Sequence, residues 1–214
     1  MSSFILFSIC ETYCTLSMPM LHKRAVAIAN SCVSRGWVKD SELDWCVYAA
    51  EKWILFSAFL LLLLLWMCVS GKHIETLSFA CTFYVLRSRM GGYHAKLPWL
   101  CITASIVIVI TITMLIGPLL SRIPLLPSLI GSFLIYIVAY FTKPIYPPQA
   151  NFTREAIVEN NKKKNHLLII VFLLQTSASL ASLFNIGTYL FCGVLLTQIL
   201  VSTEKARQKG RKEQ

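Results

Sequence analysis

The chain has 214 residues, 56% of them apolar and 14% charged, with a formal net charge of +10. A water-soluble domain is about 45–50% apolar and about 25% charged, so this composition excludes one and points to an integral membrane protein. The positive charge does not imply nucleic acid, because the basic residues stand between apolar runs, where topogenic and lipid-facing roles account for them.

The N-terminus, Met1 to Glu11, lacks a basic leader region, and Glu11 cuts its apolar run short, so no signal peptide is expected. Met18 and Met20 remain alternative starts. Leu21, Ala25, Ile28, Ala29 and Cys32 recur at helical spacing, with Lys23 and Arg24 on other faces, which predicts a helix lying in the membrane interface. Gly36 ends that pattern. Asp40, Glu42 and Asp44, with Ser41 as a candidate N-cap, open a second helix that runs into the first apolar span.

The apolar runs predict an all-α architecture with about six membrane spans, near 53–70, 74–86, 99–120, 125–142, 167–184 and 186–202. An amphipathic region, 1–52, precedes this 53–203 membrane domain, and a basic, hydrophilic tail, 204–214, follows it. Glu75 falls at the start of the second run, at an interface. Gly117 and Pro118 close the third run, and Pro144, Pro147 and Pro148 prevent the fourth from continuing. The 153–161 stretch suits a short helix between the fourth and fifth runs. With six spans, 18 of the 20 Lys and Arg residues fall on one side, with only Lys72 and Arg122 opposite. The positive-inside rule makes that side cytoplasmic, together with both termini and the polar break at 87–96.

Eight cysteines are present. Cys68, Cys81 and Cys192 lie within apolar runs and behave as small hydrophobes, and no Cys/His spacing suggests a metal site. Cys101 differs, because it follows the polar break that contains His94. A thiol and an imidazole on the cytoplasmic side suggest a nucleophile and its base. On a continuous helix, residues seven apart are separated by about 10 Å along the axis, too far for a hydrogen bond. Gly91, Gly92 and Pro98 permit a loop that removes this obstacle. With Pro98 at the first helical position, Cys101 lies on the first turn, where the helix dipole and the nearby Arg87, Arg89 and Lys96 favour thiolate. Glycine amides or basic side chains could hold an oxyanion. Spacing alone nevertheless favours an interfacial histidine and a core cysteine.

Arg87, Gly92-Tyr93-His94-Ala95 and Cys101 together resemble the signature of the accessory gene regulator B (AgrB) family: an arginine, a Gly-x-His-Ala core, and a cysteine seven residues after the histidine. Tyr48-Ala49-Ala50-Glu51 is similar to a Tyr-Gly-x-Glu element of that family, with Ala49 in place of glycine. Pro144, Pro147, Pro148, Asn151 and Lys162–Lys164 resemble its second cytoplasmic loop, although Phe152-Thr153 stands where Lys-Pro is common. The resemblance covers about residues 20–205.

The resemblance implies a membrane-embedded cysteine endopeptidase of bacterial quorum sensing, in the plasma membrane with its site at the cytoplasmic face. Its substrate would be an AgrD-like propeptide, whose C-terminal tail is removed through a thioester before cyclisation. Cys101 would be the nucleophile and His94 the base. Arg87, Arg89, Gly91 and Gly92 would support the oxyanion or position substrate, and Lys162, Lys163 and Lys164 would attract the acidic tail. No metal, cofactor or nucleic acid is implied, and a homodimer in the lipid bilayer fits the family. Two other readings are a small peptide transporter or export component, which the absence of a P-loop and of evident repeats disfavours, and a non-enzymatic membrane scaffold.

Overall fold

A computed structural model describes residues 19–91, 98–145, 154–181 and 183–212. Of the described residues 89% are helical, and no strand occurs among them. It forms α1 (Pro19–Ser34), a 3₁₀ turn at Asp40–Glu42, α2 (Leu43–Ser70), α3 (His73–Met90) and α4 (Pro98–Thr111). A π-helical turn at Ile112–Ile116 then leads into α5 (Gly117–Leu120), followed by α6 (Leu125–Phe141), α7 (Arg154–Leu180) and α8 (Phe184–Lys212). Two compact units divide these elements, the smaller built from Glu11–Val69 and Ala95–Ile106, the larger from Ser70–His94 and Val107–Gln214.

In the smaller unit, Ala25 and Ala29 of the amphipathic α1 are fully buried, whereas Ile28 is exposed. The helix stops at Gly36, whose φ of +70° is open to glycine and strained for other residues. There the amide of Gly36 donates to Val33 O at 2.8 Å and that of Trp37 to Cys32 O at 3.0 Å. His22 Nδ1 lies 2.8 Å from Oε1 of the buried Glu51, tying α1 to α2. The Cys32 and Cys46 thiols make a second tie by hydrogen bonding. The acidic residues around Ser41 form the 3₁₀ turn, so α2 starts at Leu43, and it continues without a break through the leucine run. Of Leu60–Leu65 only Leu63 is buried. Such a face is stable against lipid and costly in water.

The larger unit is a bundle in which α3 lies along α8, α7 packs on both, and α6 packs on α7 and α8. Its core contains Leu86, Met90, Tyr136, Ala139, Leu168, Val171, Val194 and Val201. Hydrophobic burial cannot drive association inside lipid, so small residues and interhelical hydrogen bonds carry the packing there. At Gly193 of α8, a Cβ would lie 2.8 Å from Thr82 Cβ of α3. Gln175 Nε2 donates to Ser132 Oγ at 2.7 Å, and Gln198 Nε2 donates to Thr142 Oγ1 at 2.9 Å. The π-turn frees the Thr113 carbonyl, which accepts from Lys72 Nζ at 2.8 Å and from the Tyr189 hydroxyl at 3.3 Å.

Several expected boundaries move. The second apolar run extends to Met90, because Arg87 and Arg89 occupy the last turn of α3, where cations suit the helix dipole. The 153–161 stretch is not a separate helix but the start of α7, continuous with the fifth apolar run. That run ends at Leu180, and Phe184 begins α8. The hydrophilic tail is helical as far as Lys212, since Glu204 pairs with Arg207 at 3.7 Å and accepts from Gln208 at 3.4 Å at helical spacings. Among the described residues, three helical segments are long and apolar enough to cross a membrane: Asp40–Ser70, Ile102–Leu120 and Phe184–Gly210. Leu125–Phe141 is a shorter apolar helix. Charged residues at both ends of α3, and the polar first half of α7, keep those two helices below that standard.

Candidate active site

The C-terminal end of α3 carries the arginines of the motif. The Arg87 guanidinium lies 5.4 Å from the centre of the Phe83 ring, and Arg87 O accepts from the Gly91 amide at 2.9 Å. Arg89 is held at two points by Asn160 of α7. Asn160 Nδ2 donates to Arg89 O at 2.9 Å, and a guanidinium N–H of Arg89 reaches Asn160 Oδ1 at 3.5 Å. The Ile145 amide donates to Met90 O at 3.0 Å. Gly91 follows with a φ of +71°, and a Cβ there would meet Ile145 O at 2.3 Å. Glycine is therefore required twice, by its dihedral angle and by the neighbouring carbonyl.

His94 and Gly92 lie outside the described residues. The backbone of α4 begins at Pro98, which places Cys101 on its first turn; the Cys101 side chain is likewise outside the description. The Cys101 turn belongs to the smaller unit, and Arg87, Arg89 and Gly91 to the larger.

The three lysines of α7 have different surroundings. Lys162 is exposed and borders a surface depression with Glu155, Val158 and Glu159. Lys163 pairs with Glu159 one turn earlier, and its hydrogen bond, then its charge, holds that carboxyl below the ordinary range. Lys164 is fully buried. Its ammonium donates to the carbonyls that end α6: Ala139 O at 3.2 Å, Tyr140 O at 2.8 Å and Thr142 O at 2.7 Å. These are the acceptors a helix leaves unsatisfied at its C-terminus. Burial, reinforced by the charge of Lys205, lowers the Lys164 ammonium to about 8. Lys164 is thus a structural cap, which corrects its expected role as a ligand for a substrate tail.

Asn160 escaped the sequence reading, and Lys164 was read only as part of a basic cluster, because both sit in a polar segment. The signal was present in the spacing: Asn160, Lys164, Leu168, Val171 and Gln175 are all buried and fall on one helical stripe. The apolar part of that stripe continues outward with polar residues that meet backbone carbonyls.

A family model, accessory gene regulator B, matches residues 25–202. The chain belongs to the AgrB family. The AgrB match runs from the buried Ala25 within α1 to a point about two thirds along α8, and so reaches every element of both units. AgrB membership, with the apolar helices, makes this a membrane protein of quorum-sensing peptide processing. Comparison with curated proteins and with solved structures gave no match.

Proposed function

We propose that the chain is a membrane-embedded cysteine endopeptidase that removes the C-terminal tail of an AgrD-like propeptide and promotes its cyclisation. The observation that carries this reading is the Arg87, Gly-x-His-Ala and Cys101 pattern within a chain matched to the AgrB family over residues 25–202. It is supported by the start of α4 at Pro98, since unpaired amides on a first helical turn lower the pKa of a thiol.

In this mechanism His94 takes the Cys101 proton, and the thiolate sulfur attacks the carbonyl carbon at the tail junction. The C–N bond breaks as the His94 imidazolium protonates the departing amine, leaving a thioester on Cys101. A cysteine thiol or serine hydroxyl of the propeptide then attacks the thioester, giving a thiolactone or lactone and returning the proton through His94 to Cys101. Acyl energy is retained throughout, so no nucleotide is needed. Arg87 positions the tail or supports the oxyanion, as the amide of Gly92 does. Lys162 and Lys163 attract the acidic tail at the cytoplasmic face, where six spans would also place both termini.

The test is tail release from a purified propeptide by protein in liposomes, with mass spectrometry of the acyl-enzyme. Cys101→Ala should abolish both tail release and the adduct, and His94→Ala should suppress adduct formation. Tail release that survives in Cys101→Ala would overturn the mechanism.

A further inference from the structure

We infer that Asn160 is a positioning residue for the cysteine–histidine chemistry, an inference that rests on the function proposed above. Its side chain is 4% exposed on α7, and both its polar atoms engage Arg89 of α3. The donor grips Arg89 O at 2.9 Å, one of the carbonyls a helix leaves open at its C-terminus. The acceptor takes a guanidinium N–H from the same residue. Met90 O is held by the Ile145 amide at 3.0 Å, and Gly91 abuts Ile145 O so closely that no side chain fits. Three consecutive residues are thereby fixed from outside α3, one of them by a side chain on another helix. Only Met90 to Tyr93 separate the gripped carbonyl from His94.

A free helix end frays, and its last carbonyls turn to water. Here the end of α3 is clasped as far as Gly91. A base that must meet a thiol within hydrogen-bond reach gains from such an anchor. This also assigns the Arg89 guanidinium to Asn160, and the negative charge of Glu159 lies near it.

The proposal is tested by the pH dependence of Cys101 alkylation by iodoacetamide, in a protein retaining Cys101 as its only cysteine. His94→Ala, Asn160→Ala and Asn160→Asp are compared with this parent, each after confirming a monodisperse, cooperatively melting protein. Asn160→Asp keeps the shape and the guanidinium partner but loses the N–H to Arg89 O, so it isolates the grip on the carbonyl even where the alanine variant folds poorly. Both Asn160 variants should raise the alkylation midpoint by about one pH unit, about tenfold less thiolate near neutrality, in the direction of His94→Ala. A purely structural role would lower the melting temperature and leave the midpoint in place. A midpoint unchanged in both Asn160 variants but moved by His94→Ala would overturn this inference and leave the proposed dyad standing. A midpoint unmoved by His94→Ala would overturn the dyad and the inference with it.

Discussion

Lys164 directs its charge to backbone oxygens rather than to a carboxylate. Its three N–H donors satisfy carbonyls at the end of α6 that water would otherwise have to reach at a buried helix terminus. Lys164→Met keeps the apolar stem and removes every donor, and should cost about 1–3 kcal/mol in a thermal or denaturant melt. The pH dependence has a definite sign. The folded value of about 8 lies below the ordinary 10.5, so between these values the unfolded chain holds a proton that the folded chain has released. Stability from this group therefore rises with pH across that window and is flat below it. The melting temperature of the parent, taken relative to Lys164→Met, should climb from pH 8 towards 10.5. A difference that falls with pH would show that the buried group is not the titrating one.

At the scale of elements, the sequence carries its membrane-facing segments openly and its polar joints poorly. Apolar runs such as Leu60–Leu65 need no partner to be read, because lipid tolerates them on every side. The helix α1, the break at Gly36 and the start of α4 at Pro98 were legible from local chemistry: helical spacing, a glycine and a missing amide. The continuity of α7 was not. Asn160 and Asn161 depress helix propensity, the three lysines interrupt the apolar pattern, and tertiary contacts from Asn160 and Lys164 sustain the helix through them. The helical end of α8 was missed for a similar reason, since hydrophilic residues suggest a tail unless their spacing is weighed. Of the motif, identity was legible in residue order, and the anchoring of its first half by Asn160 and Ile145 was not, because those partners are distant in sequence.

The whole molecule carries its charge asymmetrically, and this yields a topology that can be measured. With six spans, Lys72 and Arg122 would be the two basic residues opposite the other eighteen, and the Lys72 ammonium is bound to Thr113 O. Arg122 and Lys162 are both exposed, in the turn after α5 and on the polar half of α7. In a cysteine-free background, Arg122→Cys should react with an impermeant maleimide added outside intact cells, and Lys162→Cys only in inside-out vesicles. The reverse pattern would invert the orientation and move the proposed chemistry to the wrong side of the membrane for a newly made propeptide.

A π-turn is what an α-helix becomes when it takes in one residue too many, and the run from α4 to α5 has absorbed such an insertion at Ile112–Ile116. One α-helical residue is worth about 100° of rotation. The surplus residue therefore sets the rotational phase of residues 107–111 against Gly117–Leu120 within the larger unit. Deleting Met114 should let the turn relax to α-helix and reclaim the Thr113 carbonyl from Lys72. The melting temperature should then fall, whereas an unchanged melt would show that the Thr113–Lys72 bond carries no stability.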